Sequence, residues 1–205
     1  MKHTRRDFLN TSTKAAVGLG IATTLPWESF AQAKSLISAN EKINVGVIGI
    51  NGMGWSDLTS FMKIPEVNVA ALCDVDDNVL NYRKYELAKN GIQTKTYGDY
   101  RKMLENKDLD VIIIGTPDHW HCLMTVYALQ AGKDIYVEKP MANSIAECNI
   151  MAKAAKYYNR IVQVGQQQRS SFVFQKAMEL IKSGNIGKLR RVNIWANCEY
   201  GAGQV

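Results

Sequence analysis

Three consecutive residues, Glu138-Lys139-Pro140, bring a carboxylate, an amine and a rigid ring to one point of the chain. The apolar run 134–137 before them is typical of a buried parallel strand, and Ser144 with Glu147 is the capping signal of a following helix. Ligands of open α/β sheets bind at the carboxyl ends of strands, where a lysine can exchange a proton with a substrate oxygen. The tripeptide alone favours a solvated lysine in a loop. Together with the motifs described below, it predicts that Lys139 is a catalytic and substrate-binding residue.

A glycine-rich loop, Gly49-Ile50-Asn51-Gly52-Met53-Gly54, separates the first apolar run from the first helical segment. Its spacing, G-x-x-G-x-G, is a permuted relative of the dinucleotide-binding fingerprint. Glycines permit a tight turn against a pyrophosphate, and the helix N-terminus offers free N–H groups to the phosphate oxygens. The pattern predicts cofactor contacts from Gly49 to Met53, with a plain strand–helix turn as the alternative.

Asp74 follows the second apolar run, 25 residues after Gly49. The fingerprint places an acidic residue that binds the adenosine ribose at about 20 residues. Asp76 and Asp77 add negative charge that would repel a 2′-phosphate. We therefore expect NAD as cofactor rather than NADP. The alternative for Asp74 is that its side chain only caps a turn.

The segment Thr116-Pro117-Asp118-His119-Trp120-His121 follows a strand with three consecutive isoleucines. Pro117 stiffens the exit of the strand, and Asp118 is expected to cap the next helix. Because His119 and His121 lie two residues apart at a helix start, they point in different directions, and we predict no shared metal. The helix N-terminus disfavours the imidazolium, so we expect neutral rings that donate hydrogen bonds at the cofactor site, with local capping as the alternative.

Polar residues also follow the strand that begins at Ile161, in the run Gly165-Gln166-Gln167-Gln168-Arg169. They reach the same edge of the sheet as the four segments above. Amide and guanidinium groups suit a polyhydroxylated or anionic ligand. Gln167 and Arg169 are therefore predicted substrate-binding residues, and ordinary surface-turn chemistry is an equal alternative.

Strand and helix signals alternate from residue 43 to about 183, which predicts a doubly wound parallel sheet in an α/β fold. After Gly187 the pattern changes, and Leu189–Tyr200 reads as the first strand of a second domain that is incomplete. We predict a dinucleotide-binding domain over 34–165, followed over 166–205 by a linker helix and the start of a substrate domain. The predicted strands are Ile43–Gly49, Val67–Cys73, Thr94–Tyr97, Val111–Gly115, 134–138 and Ile161–Val164.

Residues 1–33 have the features of an export signal. The run Thr4-Arg5-Arg6-Asp7-Phe8-Leu9 resembles the twin-arginine motif, and a weakly apolar segment and the cleavage site Ala31-Gln32-Ala33 follow it. The apolar run is about half of the ~20 residues that a membrane span needs, so a signal anchor is the weaker alternative. We predict export by the twin-arginine machinery to the periplasm or cell envelope.

Composition narrows the classes of partner. The chain has 205 residues and a formal charge of +6, but its basic residues are scattered and form no nucleic-acid footprint. Its four cysteines include no C-x-x-C pair, which favours buried free thiols over disulfides or a cysteine nucleophile.

Together these residues resemble the Gfo/Idh/MocA family of oxidoreductases, the glucose–fructose oxidoreductase and inositol dehydrogenase type. The matching parts are Val47-Ile48-Gly49 with its loop, Cys73-Asp74, Thr116-Pro117 with His121, Glu138-Lys139-Pro140 and Gly184-Asn185-Ile186-Gly187. The resemblance implies an NAD(P)-binding Rossmann fold followed by an α/β domain that carries the substrate pocket and an oligomer interface. It implies that Glu138 contacts the nicotinamide side of the cofactor, that Lys139 hydrogen-bonds the reacting hydroxyl, and that Pro140 is cis.

The leading hypothesis is an NAD-dependent oxidoreductase that acts on a sugar, cyclitol or related polyol and forms a homo-oligomer when full length. One alternative is an NAD-dependent glycosidase, which oxidises a sugar transiently, eliminates the aglycone and reduces the sugar again. The relatives of that kind tend to depart from Glu-Lys-Pro, which this chain keeps. The other alternative is a nucleotide-binding fragment without catalysis.

Overall fold

A computed structural model of the chain describes residues 42–193. The strands of this range are β1 (Ile43–Ile48), β2 (Val67–Cys73), β3 (Lys95–Tyr97), β4 (Val111–Ile114), β5 (Asp134–Glu138) and β6 (Val162–Gly165). The helices are α1 (Gly52–Phe61), α2 (Asp77–Lys89), α3 (Tyr100–Leu104), α4 (His121–Gln130), α5 (Ile145–Tyr158) and α6 (Phe172–Lys182). Two short 3₁₀ turns, Asp118–Trp120 and Gln167–Ser170, precede α4 and α6.

The six strands form one sheet in the order β3-β2-β1-β4-β5-β6, and every neighbouring pair is parallel. The chain enters at the centre, winds outward to β3, returns to β4 beside β1 and winds outward again to β6. This is the strand order of dinucleotide-binding Rossmann folds, whose crevice lies between the two central strands. The predicted doubly wound parallel sheet is confirmed.

Alternation along the central strands fills two cores, one on each face of the sheet. Ile112 and Ile114 of β4 pack with buried residues of α3, α4 and α5. Ile113, between them, joins the opposite core with Leu58 of α1 and Leu87 of α2. Because successive side chains of a strand point to opposite faces, a run of three isoleucines is buried on both sides, as a central parallel strand requires.

Parallel strands bring all their carboxyl ends to one edge. The glycine loop after β1, Asp74 after β2, the 3₁₀ turn after β4 and the Glu-Lys-Pro segment at the end of β5 therefore meet there. The strand bounds differ from the predicted ones by no more than about two residues, which is the usual uncertainty of element ends.

One helix cap differs from expectation. Asp118 makes no capping hydrogen bond, because Pro117 is followed by a 3₁₀ turn before α4 begins at His121. The cap of α2 is Asp76, whose side chain accepts from the N–H of Asn78, so Asp77 lies inside the helix. In contrast, Ser144 caps α5 as predicted by accepting from the N–H of Glu147.

The strand predicted over Leu189–Tyr200 is not found in its described part. Residues 189–193 form neither strand nor helix, and no described strand lies beside them. A lone segment has no ladder of hydrogen bonds to hold it extended. Residues 194–200, like the export signal predicted at 1–33, lie outside the described range. Within that range, no helix combines the length and apolar character that a membrane span would need.

Candidate functional site

The glycine loop packs so tightly that side chains are excluded from it. Gly49 has φ +78° and donates its N–H to the Cys73 carbonyl at 2.9 Å. A Cβ on Gly54 would overlap the carbonyl oxygen of Gly49, and a Cβ on Gly115 would overlap the Cα of Gly54. The start of α1 therefore lies directly against the ends of β1 and β4, which is the close helix–strand packing that the last glycine of the dinucleotide-binding fingerprint permits.

The N-terminus of α1 opens into the crevice between β1 and β4. Asn51 caps it with extended backbone, and its Oδ1 accepts from the N–H of Gly52 at 3.0 Å. No acidic residue occupies the first turn. The free N–H groups and the positive end of the helix dipole can therefore meet an anion without competition.

Asp74 is half-buried at the end of β2 and holds the loop in place. Its Oδ2 accepts from the N–H of Ile50 at 2.9 Å, and its Oδ1 accepts from the N–H of Asp76 at 3.1 Å. Each carboxylate oxygen has a second lone pair that these bonds leave free. The residue expected to bind the adenosine ribose thus also orients the glycine loop, a role that its spacing did not reveal.

Two cavities meet over the glycine loop. The first, of about 600 Å³, contains Asp74, Val75, Tyr100 and Trp120 in its wall. The second, of about 520 Å³, contains Met53, His121, Glu138 and Lys139. The walls of both cavities share Asn51, Gly115, Thr116 and Pro117. They form one groove along the sheet edge, which we name the edge groove, with Asp74 at one end and Lys139 at the other.

His121 is buried, with 1% of its surface exposed. Its Nδ1 lies 2.8 Å from the carbonyl oxygen of Pro140, and its Nε2 lies 2.8 Å from that of Thr116. Both neighbours only accept hydrogen bonds, so a neutral ring can donate to one of them and an imidazolium to both. The ring thus joins the loop after β4 to the Glu-Lys-Pro segment, and neither nitrogen is free to donate to a cofactor as expected from the sequence.

His119 lies outside the wall of either cavity. Its side chain is 60% exposed, and its Nδ1 is 3.8 Å from Asp118 Oδ1. The 3₁₀ turn directs it away from the edge groove, while Thr116 and Pro117 lie at the centre of that groove. The walls of the edge groove therefore contain every predicted cofactor residue except His119 and Ile50, whose side chain is buried in the core.

The Glu-Lys-Pro segment closes the other end of the edge groove. Glu138 is 3% exposed, and its Oε2 accepts from the backbone N–H of Lys139 at 3.0 Å. The Lys139 side chain is exposed toward the groove, and the Lys139–Pro140 peptide bond is cis, as predicted. The chain thus buries the carboxylate and leaves the amine accessible at the carboxyl end of β5.

Asp57 of α1 is a buried carboxyl that the sequence analysis did not single out. It is 6% exposed, and burial together with the charge of Glu138 raises its pKa to about 6, while Gln167 opposes the rise. Burial, followed by Asp57 and Glu138, also raises the pKa of the Tyr136 hydroxyl. A lone Asp on a helix carries no local signal, because its proximity to Glu138 arises only when α1 packs on the sheet.

The predicted substrate-binding residues Gln167 and Arg169 lie in different parts of the structure. The Gln167 amide donates to Glu138 Oε1 and lies 3.4 Å from the Tyr136 hydroxyl, so it belongs to the Glu138 cluster. Arg169 lies with Gln168 in a different cavity, of about 990 Å³, along α6. Among the residues that the structure describes, no three His, Cys, Asp or Glu side chains gather as a metal ion would require.

The edge groove fits a dinucleotide. The cradle at Gly49, Gly54 and Gly115 admits no Cβ, a helix N-terminus faces it, and a carboxylate stands at the end of β2. These are the three parts that bind the pyrophosphate and the adenosine ribose in Rossmann domains.

The comparisons with known proteins agree with this geometry. Residues 43–166 match the sequence model of the GFO_IDH_MocA family, described as an oxidoreductase family with an NAD-binding Rossmann fold. The chain is similar to a glycosyl hydrolase family 109 protein of Solibacter usitatus, with 33% identity over 154 residues, 72% of this chain and 35% of that protein. It is also similar to inositol 2-dehydrogenase of Salmonella typhimurium, with 32% identity over 148 residues, 71% of this chain and 43% of that protein.

Solved structures show the same fold. Myo-inositol 2-dehydrogenase from Lactobacillus plantarum has a TM-score of 0.66 and 33% identity, covering 72% of this chain and 43% of that one. Scyllo-inositol dehydrogenase from Lactobacillus casei, with bound NAD(H) and scyllo-inositol, has a TM-score of 0.64 and 26% identity, covering 71% of this chain and 42% of that one. The chain spans less than half the length of these relatives.

Proposed function

Because the chain belongs to the GFO_IDH_MocA family of NAD-binding oxidoreductases, we propose that the whole protein is an NAD-dependent dehydrogenase of a sugar, cyclitol or related polyol. The edge groove carries this proposal, since it joins a ribose-binding carboxylate, a phosphate cradle and an exposed lysine along one line. The similarity to inositol dehydrogenases supports the polyol class.

Each part of the groove has its own task. Asp74 offers its free lone pairs to the ribose hydroxyls, and the N-terminus of α1 binds the pyrophosphate through its N–H groups. Bound there, NAD would supply the acceptor for the hydride that leaves the carbinol carbon of the substrate. Lys139 binds the reacting oxygen at the same end of the groove and takes up or returns its proton. Glu138 faces the nicotinamide side, and His121 holds the lysine-bearing segment against the loop after β4.

Replacing Lys139 with Met tests the assignment. We expect Lys139→Met to abolish turnover of polyols in the whole protein and to leave NAD affinity within about threefold, because a catalytic proton carrier contributes about 10²–10⁴ to the rate. Lys153→Met, at an exposed position of α5, is the matched control and should keep activity. Normal turnover by Lys139→Met, measured as NADH formation, would refute the catalytic role of this lysine.

A second candidate function has one specific support. The similarity to a glycosyl hydrolase family 109 protein favours a glycosidase that oxidises its sugar transiently with NAD. The retained Glu-Lys-Pro segment favours the dehydrogenase instead. Release of free sugar from an aryl glycoside without net NADH would establish the glycosidase, whereas NADH formation from a free polyol would establish the dehydrogenase.

The leader supports a proposal on location. The motif around Arg5 and Arg6 and the A-x-A site before Lys34 favour export in folded form through the twin-arginine machinery. This route suits a protein that must bind its nucleotide before it leaves the cytoplasm. Fractionation of the source cells should recover the protein in the cell envelope, and recovery of the uncleaved chain in the cytoplasm alone would contradict export.

A further inference from the structure

Two carboxyl groups are buried where α1 packs on β5, which the contact of Phe61 with Tyr136 at 5.3 Å marks, and they interact with each other there. Asp57 comes from α1 and Glu138 from the end of β5, and their exposed fractions are 6% and 3%. Asp57 Oδ2 has no hydrogen-bond partner among the described residues. We propose that the two groups share one proton and that Asp57 is a positioning residue, which sets the charge that Glu138 presents to the nicotinamide. This inference rests on the proposed function.

The surroundings of the carboxyl pair supply amide and hydroxyl groups but no cation. Gln167 donates to Glu138 Oε1, and the Tyr136 hydroxyl lies beside the same amide. Gly165 makes room for the cluster, since a Cβ there would lie 2.7 Å from Glu138 Oε1. No Lys or Arg side chain in the range 42–193 forms a salt bridge with either carboxyl. Two adjacent carboxylates without a counter-ion resist double ionisation, so one retains a proton.

The titratable groups that face Asp57 are few. Glu138 and Tyr136 reach it from β5. The sequence of α1 contains no other charged residue, and β6 contributes none. Arg169 of the following turn lies in the separate cavity along α6, and the Lys139 side chain is exposed. The charge of this part of the site therefore depends on how many protons the pair holds.

That charge distinguishes the two redox forms of the cofactor. The nicotinamide ring is cationic in NAD⁺ and neutral in NADH, so a doubly ionised pair attracts the oxidised form more strongly than a singly ionised pair does. By linkage, binding of NAD⁺ promotes loss of the shared proton, and binding of NADH does not. As the ring becomes neutral, the pair takes up one proton again from bulk water, separately from the carbinol proton that Lys139 receives.

The ratio of two dissociation constants tests the inference without any turnover. The dissociation constants of NADH and NAD⁺ are measured by calorimetry between about pH 5.5 and pH 8, a range that spans the titration of a raised carboxyl. In the unaltered protein, we expect the ratio of the NADH constant to the NAD⁺ constant to rise about fivefold or more with pH. In Asp57→Asn, which keeps the shape and removes one ionisable group, the ratio should stay constant.

Asp108→Asn is the matched control, because Asp108 is exposed at the opposite edge of the sheet. In this variant, the ratio of the NADH constant to the NAD⁺ constant should depend on pH as it does in the unaltered protein. Glu138→Gln is a second variant with a single carboxyl, and it should also give a constant ratio. A merely structural Asp57 would change both dissociation constants equally and leave the pH dependence in place, which would overturn the inference. If neither redox form binds to the folded protein, the proposed function fails and the inference fails with it.

Discussion

The two ends of the edge groove are built in different ways. At the Asp74 end, the geometry comes from backbone: a glycine loop with positive φ, a helix N-terminus and a carboxylate that accepts two N–H groups. At the Lys139 end, it comes from side chains of distant segments, with Asp57, His121 and Gln167 all converging on the Glu-Lys-Pro segment. The first end is a cradle of backbone groups, and the second is a cluster of buried polar side chains.

This difference indicates which end tolerates change. In the backbone cradle, an added side-chain atom overlaps backbone atoms, which cannot move aside as a flexible side chain can. In the cluster of buried polar side chains, a substitution destabilises the fold when it removes a hydrogen-bond partner and stabilises the fold when it removes a repulsion between charges. Substitutions at the Asp74 end should therefore weaken the site, whereas substitutions at the Lys139 end should differ from one another in sign.

The largest effect is expected at the Asp74 end, from Gly54→Ala. The new Cβ would overlap the Gly49 carbonyl oxygen, so the loop must move away from the strand ends. Each charge-assisted hydrogen bond lost to the pyrophosphate is worth about 1.5–3 kcal/mol, so we expect NAD affinity to fall by about 100-fold or more. Calorimetric titration with NAD measures the loss. Ser60→Ala, on the exposed side of the same helix, should bind NAD normally, and equal binding by both variants would contradict the cradle.

The next effect is expected from His121→Leu, at the Lys139 end. The substitution removes the ring that lies between the carbonyl oxygens of Thr116 and Pro140, one of which accepts from it when the ring is neutral. A buried acceptor that loses its partner costs about 1–3 kcal/mol, so we expect the free energy of unfolding to fall by about this amount in urea denaturation. His119→Leu provides the control, because the exposed His119 should contribute within about 0.5 kcal/mol. Similar losses for the two variants would contradict the joining role of His121.

An effect of similar size and opposite sign is expected from Asp57→Asn. The pKa of Asp57 is raised from 3.8 to about 6 in the folded chain. The unfolded chain therefore releases this proton first, and the folded state loses stability as pH rises from about 4 to about 6 and stays less stable above that range. An amide has no such titration, so we expect Asp57→Asn to be more stable by about 1–3 kcal/mol at pH 7–8, measured by urea denaturation. A loss of stability at that pH would contradict the prediction, because it would show that the groups around the Asp57 carboxylate offset the cost of burying its charge.

The same contrast explains how much the sequence predicts. The strand runs, the glycine loop, Asp74 and the Glu-Lys-Pro segment follow from local patterns, because periodicity, turn residues and strand ends are properties of neighbouring residues. The bounds of β2 and β5 are therefore the same in prediction and structure. The correct edge of the sheet also follows, since parallel strands place all their carboxyl ends together.

What the sequence does not predict depends on packing between segments far apart in the chain. Asp57 has no signal in its helix, yet it meets Glu138 once α1 lies on the sheet. His119, which was predicted at the cofactor site, lies outside the edge groove because a 3₁₀ turn, rather than a helix capped by Asp118, follows Pro117. Arg169 follows the correct strand but lies in another cavity, because the turn after β6 separates it from Gln167.

The most direct test of the central claim is the melting temperature of the chain with and without NAD. If the edge groove binds the dinucleotide, NAD at about 100 times its dissociation constant should stabilise the fold by about 2.7 kcal/mol and raise the melting temperature by roughly 5–10 °C. NADP at the same concentration should raise it less, because Asp74, Asp76 and Asp77 repel a 2′-phosphate. A folded chain whose melting temperature does not change with NAD would contradict the account.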